Sequence, residues 1–270
     1  MPGEPTPDAA TSGPPRPGCW GLSGKLAVGV LLGLGALYLL RPPPLGHPRW
    51  ESRRHETQNR LKQLGLALYN YHSSSGGGDD TAAGRFPPPP GDADAATPPV
   101  GWLTALLPFV DEGDLRRRYD AAAAYDDPAN AAAVALPVQP YLTPTDGWRD
   151  RRTEGGFGLA HYAGNVRVLG PGGAGRIPGL RDGMVNTLMA GQIDGFPRPW
   201  ADPDHFRDPA AGLGSGPRQF GTPFRHGDVP SGKMVMGDGS VRTVSVAIDP
   251  AVLAALGTPD GGEEVSADAW

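Results

Sequence analysis

Histidines and carboxylates are the side chains of this sequence best suited to acid–base or metal chemistry, and their spacing limits what they can do. His226 stands twelve positions before Asp238, and with His161 the two offer a candidate acid–base or metal site. Against this, the chain holds six histidines, none in H-E-x-x-H or another paired-ligand spacing. Asp238-Gly239 also has a structural use as a turn. Asp202-Pro203-Asp204 with Asp208 matches the opening of a calcium loop, yet Arg207 stands where that loop wants glycine and Leu213 where it wants glutamate. Gly170-Pro171-Gly172-Gly173-Ala174-Gly175 satisfies G-x-G-x-x-G after the strand-like Val166–Leu169. A dinucleotide site would need a helix to open there, and Arg176-Ile177-Pro178-Gly179 does not open one, so the segment reads as a loop. No G-x-S-x-G elbow occurs, and Cys19 falls in a proline-rich tail or at its apolar edge, which leaves a hydrolase without a nucleophile. Asp111, Glu112 and Asp114 read as a solvated face. The expectation is a protein with no catalytic residue, no metal ligand and no cofactor. One region has a ligand-like composition: Trp200, His205, Phe206 and Arg207, within 196–226, combine rings and hydrogen-bonding groups that suit a sugar or peptide groove. A long loop covering a sheet would have the same composition.

Composition narrows the field further. The 41 Gly and 32 Pro together exceed a quarter of the 270 residues, but the prolines cluster, which points to a folded body with loose tethers. A net charge of -5 without a long Lys/Arg run argues against nucleic acid, which needs a basic stripe for its phosphates. The single cysteine excludes an intrachain disulfide and a cysteine metal cluster.

The elements that must hold these residues begin with Trp20–Leu40, an apolar stretch in which Lys25 is the only charge. A helix of that length covers roughly 30 Å, the thickness of a bilayer core. Lys25 can snorkel, and Trp20 and Tyr38 stand near opposite ends where interfacial rings belong. The proline-rich residues before it and the lack of an A-x-A after it favour a retained single-pass anchor over a cleaved signal peptide. Gly29 and Gly33 form a GxxxG, a weak self-association signal. Arg41, Arg49, Arg53 and Arg54 follow the span, against Arg16 and Lys25 at its start, and this count alone places the C-terminal part in the cytoplasm.

Residues 1–19 read as a disordered tail, 20–40 as a transmembrane helix and 41–51 as a proline-rich linker. A helix is predicted from about Pro48 to His72, with Leu61, Leu64, Leu68 and Tyr71 on one stripe. Another helical stretch, 101–120, is broken at Pro108. Beyond about 155 the pattern changes to short β-type runs: 159–165, 166–170 and 186–191. Residues 233–246 predict a hairpin, with a type I′ turn at Asp238-Gly239. A last helix starts at Asp249-Pro250 and ends at Gly257. Helix first and antiparallel strands later make the fold class α+β.

Taken in order, these segments resemble the bacterial domain-of-unknown-function 1559 family, also labelled solute-binding-protein-like, over about 52–270. SRRHETQNRLKQLGLALYNYH is similar to its RR…NNLKQIGLALHNYH helix, YLTPTD to its CPSD-like turn, HYAGN to SYAGN and RDGMVNTLMAGQ to TDGTSNTI..GE. MVMGDGSVRTVS resembles the hairpin FADGSVRFLS, and the closing LAALGTPDGGEEVSADAW resembles LRALATRAGGEVVS. His226, Asp238 and Gly239 fall on the family's H-x9-DG signature, here with eleven residues between His and Asp. The resemblance implies a pilin-like extracytoplasmic domain, a long helix packed on an antiparallel sheet. No GFTLxE-like processing site precedes the span, and the proline run interrupts what would be one rod in a pseudopilin. The span therefore reads as a tether ahead of a pilin-like domain at the cell membrane. The expected role is structural or through protein partners or self-association. The alternative is an anchored module that binds a small-molecule solute through 196–226.

Overall fold

The computed structural model describes residues 49–76, 83–87, 98–144, 151–226 and 228–266. The predicted tail, the span 20–40 and most of the linker lie outside these residues. Among the described residues no helix is long and apolar enough to cross a membrane.

Helix α1 (Arg49–Ser75) runs for 27 residues. Its Leu61, Leu64 and Leu68 are buried, with Tyr71 partly so, and Ala67 and Thr57 widen the stripe. After it come α2 (Trp102–Leu106), a 3-10 turn at Leu107–Phe109 carrying Pro108, and α3 (Gly113–Arg118). Proline thus breaks the 101–120 stretch where its missing N–H requires. Helix α4 (Pro128–Val134) is capped by Asp127, whose carboxylate accepts from the Ala129 N–H.

The strands are β1 (Leu159–Ala160), β2 (Tyr162–Asn165), β3 (Leu188–Gln192), β4 (Arg198–Pro199), β5 (Phe206–Arg207), β6 (Phe224–His226), β7 (Val229–Met236) and β8 (Val241–Ser245). β1 and β4 form a separate antiparallel pair. In the main sheet β7 pairs antiparallel with β3, β6 and β8, β3 with β2, and β2 parallel with β5. Because β8 lies along 231–235 of β7, β3 and β6 must share its other edge end to end.

Alternation along β7 sends Val235 toward α1 and Met234 and Met236 to the opposite face. There they meet Leu253 and Leu256 of α6 (Pro250–Gly257), whose N-cap Asp249 accepts from the Ala251 N–H. A register shift opposite Leu188/Ala190 lets Met189 and Ala190 both face the α1 side. The result is α+β: helices on both faces of a mixed, mainly antiparallel sheet.

Two local expectations are corrected. Val166–Leu169, read as a β-type run, is the short helix α5, because the Asn165 side chain accepts from the Arg167 N–H and starts a helical turn. The Asp238-Gly239 turn is not type I′: only Gly239 has a positive φ, +78°. Gly237 adds a residue, so a type I turn closes through Gly239 N–H to Met236 O, and Gly239 takes the left-handed bulge position. Asp238 stays right-handed and accepts from the Ser240 N–H at 2.9 Å.

Candidate functional site

The histidine–carboxylate group of the sequence is not assembled. His226 pairs with Val229 at the start of β7, whereas Asp238 follows its end. A strand of that length puts them about 25 Å apart. His161 lies between β1 and β2 in the interior, where its Nδ1 accepts from the Thr143 N–H at 3.0 Å. That bond leaves the ring proton of neutral His161 on Nε2. Among the described residues no three His, Cys, Asp or Glu side chains gather in a way that could hold a metal ion. His226 instead accepts at Nδ1 from an Arg54 guanidinium N–H, 3.0 Å, and the same guanidinium stands 4.9 Å from the Phe224 ring centre. An arginine has only donors, which fixes the direction of that bond.

The four groove candidates divide. Trp200 and His205 are fully buried. The Trp200 Nε1–H donates to Leu136 O, and its ring tilts against Tyr119 at 6.3 Å. Burial pushes the Tyr119 phenol up to about 12. The His205 ring nitrogens find no hydrogen-bond partner of normal geometry among the described residues. Burial, then the charges of Arg207 and Arg198, holds this imidazole well below its ordinary value, against a weaker pull from the Tyr162 backbone. Phe206 and Arg207 do reach a pocket of about 320 Å³, together with Val166, Asp208 and Arg218. Arg207 is itself mostly buried. It donates to the carbonyls of Phe206, Gly195 and Phe196, and burial next to Arg198 pushes its guanidinium down to about 10. Phe196, whose carbonyl it holds, has a left-handed φ of +51° and leaves its ring largely exposed.

The calcium-like carboxylates face guanidinium groups. Asp202 pairs with Arg198 and accepts from the Asp204 N–H, while Asp208 takes Arg167 and Arg218. Burial alone would raise the Asp208 carboxyl, but hydrogen bonds from Arg167 and the Ala210 N–H, with both arginine charges, bring it below the usual range. The G-x-G-x-x-G segment is a loop with positive φ at Gly172 and Gly175, followed by a 3-10 turn at Ile177–Gly179. With Arg167 and Arg181 it borders an open depression of about 620 Å³.

What the fold does bring together is the segments quoted above, in pairs. Gly65 of LKQLGLALYNYH lies where α1 crosses the hairpin; a Cβ there would meet Val235 Cγ2 at 2.8 Å and Gly239 Cα at 3.2 Å. The turn is held from its other side, where Gly237 N–H donates to Thr187 O and Asp238 N–H to Met184 O, both within RDGMVNT. Asp182 of that same segment accepts from the N–H groups of Gly261 and Gly262, each at 2.8 Å. Thr143 of YLTPTD meets His161 of HYAGN. Asn165, at the end of HYAGN, also donates from Nδ2 to Leu188 O and Gly257 O, both 2.8 Å, tying β2 to β3 and to the end of α6. Neither Asn165 nor Asp182 stood out in the sequence, although N-V-R after a strand is a recognisable cap signal for the first.

A family model described as a protein of unknown function (DUF1559) matches residues 47–215, well over half of the chain. His226, Asp238 and Gly239 lie beyond the matched residues. No curated protein and no solved structure matches the chain. With its helix and its 141–146, 161–165 and 181–192 segments all inside that match, the chain belongs to the DUF1559 family.

Proposed function

We propose that the chain is a membrane-anchored, extracytoplasmic, pilin-like protein whose role is structural or exerted through protein contacts, without catalysis. The observation that carries this reading is the mutual locking of its distinctive segments. An active site gathers such residues around a cleft, whereas Gly65 with Gly239, Asp182 with Gly261 and Gly262, and Thr143 with His161 are spent on each other. A long helix laid on a mainly antiparallel sheet is the architecture a pilin-like domain needs. On the outer side of α1, Leu66 and Tyr69 are 60% and 46% exposed, one helical turn apart, and offer a contact face. In this reading residues 20–40 supply the anchor, and the family resemblance, against the charge count, supports an extracytoplasmic direction. Protease added to cells with the outer envelope opened should digest the part beyond residue 48. Complete protection would overturn the extracytoplasmic orientation.

One observation favours a second reading, an anchored solute-binding module: Phe206 and Arg207 do border a pocket. A saturable rise in Tm with a neutral sugar or short peptide, abolished by Phe206→Ala, would put this reading in place of the structural one.

A further inference from the structure

Midway along β7 a lysine is buried without a counter-ion among the described residues. Lys233 is 5% exposed, and no carboxylate among the described residues pairs with it. Its ammonium has three N–H donors but only two long protein acceptors, Gln58 Oε1 at 3.4 Å and Thr243 Oγ1 at 3.3 Å. It also stands 5.7 Å from the centre of the Phe224 ring, the same ring that Arg54 covers. Burial, and then the charges of Arg54 and Lys62, lowers the Lys233 ammonium below its ordinary value. On α1, Glu56 is turned to Arg60. Desolvating a cation this far beside other cations costs free energy that a bound anion would recover.

The space for that anion exists. A pocket of about 180 Å³ opens between α1 and β7 and is lined by Arg54, His55, Gln58 and Lys233. Among the described residues every lining side chain carries N–H donors and none is an acid. His226 holds Arg54 in place at the rim through its Nδ1. The volume suits a single small oxyanion and not an extended ligand.

We propose that this pocket is an oxyanion site that takes one phosphate group, with Lys233 beneath it and Arg54, His55 and Gln58 around it. The group can come from free inorganic phosphate or from a phospholipid headgroup. The second source is within reach, because only eight residues, at most about 30 Å of chain, separate the end of the predicted span at Leu40 from the start of α1 at Arg49. The pocket is separate from the Phe206 pocket, and only the headgroup source rests on the membrane-anchored reading above.

The test uses the full chain in micelles of a neutral detergent and follows thermal unfolding with inorganic phosphate against chloride at equal ionic strength. Phosphate should raise Tm saturably by about 3 °C or more. Lys233→Met should weaken the response about tenfold or more, and Lys233→Arg should keep it. If Lys233→Met loses its cooperative transition, Arg54→Gln takes its place and should weaken the response about fivefold. Equal Tm in phosphate and chloride overturns the proposal, as does a wild-type response in the folded neutralising variant. Lipid discs of phosphatidylglycerol and of phosphatidylcholine then separate the sources. If phosphatidylglycerol raises Tm and removes the effect of added phosphate, the headgroup is the ligand. An unchanged phosphate response in both discs assigns the free anion.

Discussion

At one end of β7 the chain turns through Gly237-Asp238-Gly239 with its N–H groups satisfied by Thr187, Met184 and Met236 carbonyls, under a helix that approaches at Gly65. Toward the other end, Phe224 and His226 of β6, the mid-strand Lys233 and Arg54 of α1 meet through long, charge-bearing contacts around a small opening. The first end is held by shape: the helix and the turn pack closely, and at Gly65 there is no room for a methyl group. The second is held by polar and charged contacts. Both ends carry residues of one sequence signature, so a shared motif need not mean a shared task. Gly239 takes the left-handed position of the turn, whereas His226 positions a cation.

The strongest way to break this comparison is at the packed end. Gly65→Val should cost about 3 kcal/mol in denaturant unfolding, because the Gly239 backbone cannot yield to the added carbons. A loss below about 1 kcal/mol would mean that α1 is not anchored there. A buried imidazole away from both ends sets the scale for charge. The folded protein holds His205 neutral below the value near 6.5 at which the unfolded chain takes its proton. Its stability contribution is therefore complete above that pH and is lost as pH falls below it, by about 1.4 kcal/mol per unit. His205→Leu should remove that part of the acid sensitivity, as read from unfolding midpoints on either side of the histidine range. His72, also lowered by burial, retains a share of it in the variant.

Gly239→Ala comes next, at about 1 kcal/mol, from left-handed strain alone, since nothing lies within 4 Å of the added methyl. Gly239→Asn should cost less, and chemical denaturation would rank the two. The smallest change is expected at the charged end: His226→Gln should shift stability by less than about 0.5 kcal/mol, as exposed substitutions generally do. A larger loss would show that the Arg54 contact carries the sheet edge as well as the cation.

Much of the fold was legible in the sequence because it rests on local rules. The Leu61/Leu64/Leu68 stripe, the Asp249-Pro250 start of α6 and the alternation through 233–246 all follow from periodicity and capping. The failures were also local, and each came from a neighbour: Asn165 turned a β-branched run into a helical turn, and Gly237 lengthened the hairpin loop by one residue. The sites were less legible because their parts are distant in the chain. Gln58 and Lys233 are separated by 175 positions, and Asp182 lies 79 and 80 positions from the glycines it holds. No spacing rule connects such residues. The aromatic composition around Trp200 and His205 marked an interior, since rings with polar edges suit a buried core as well as a groove.

The crossing of α1 over the β7–β8 hairpin also sets an order of events during synthesis. The helix leaves the ribosome early, whereas the strands that cover Leu61 and Leu64 follow some 170 residues later, as in the 172-position gap between Arg54 and His226. Until the hairpin has been made, that apolar stripe lacks one of its walls. Long-range closure of this kind is slow and leaves apolar surface open to other chains. Chains that stop short of Val241 should therefore fail as a whole, and need a holding partner, rather than persist as a shorter version of the domain.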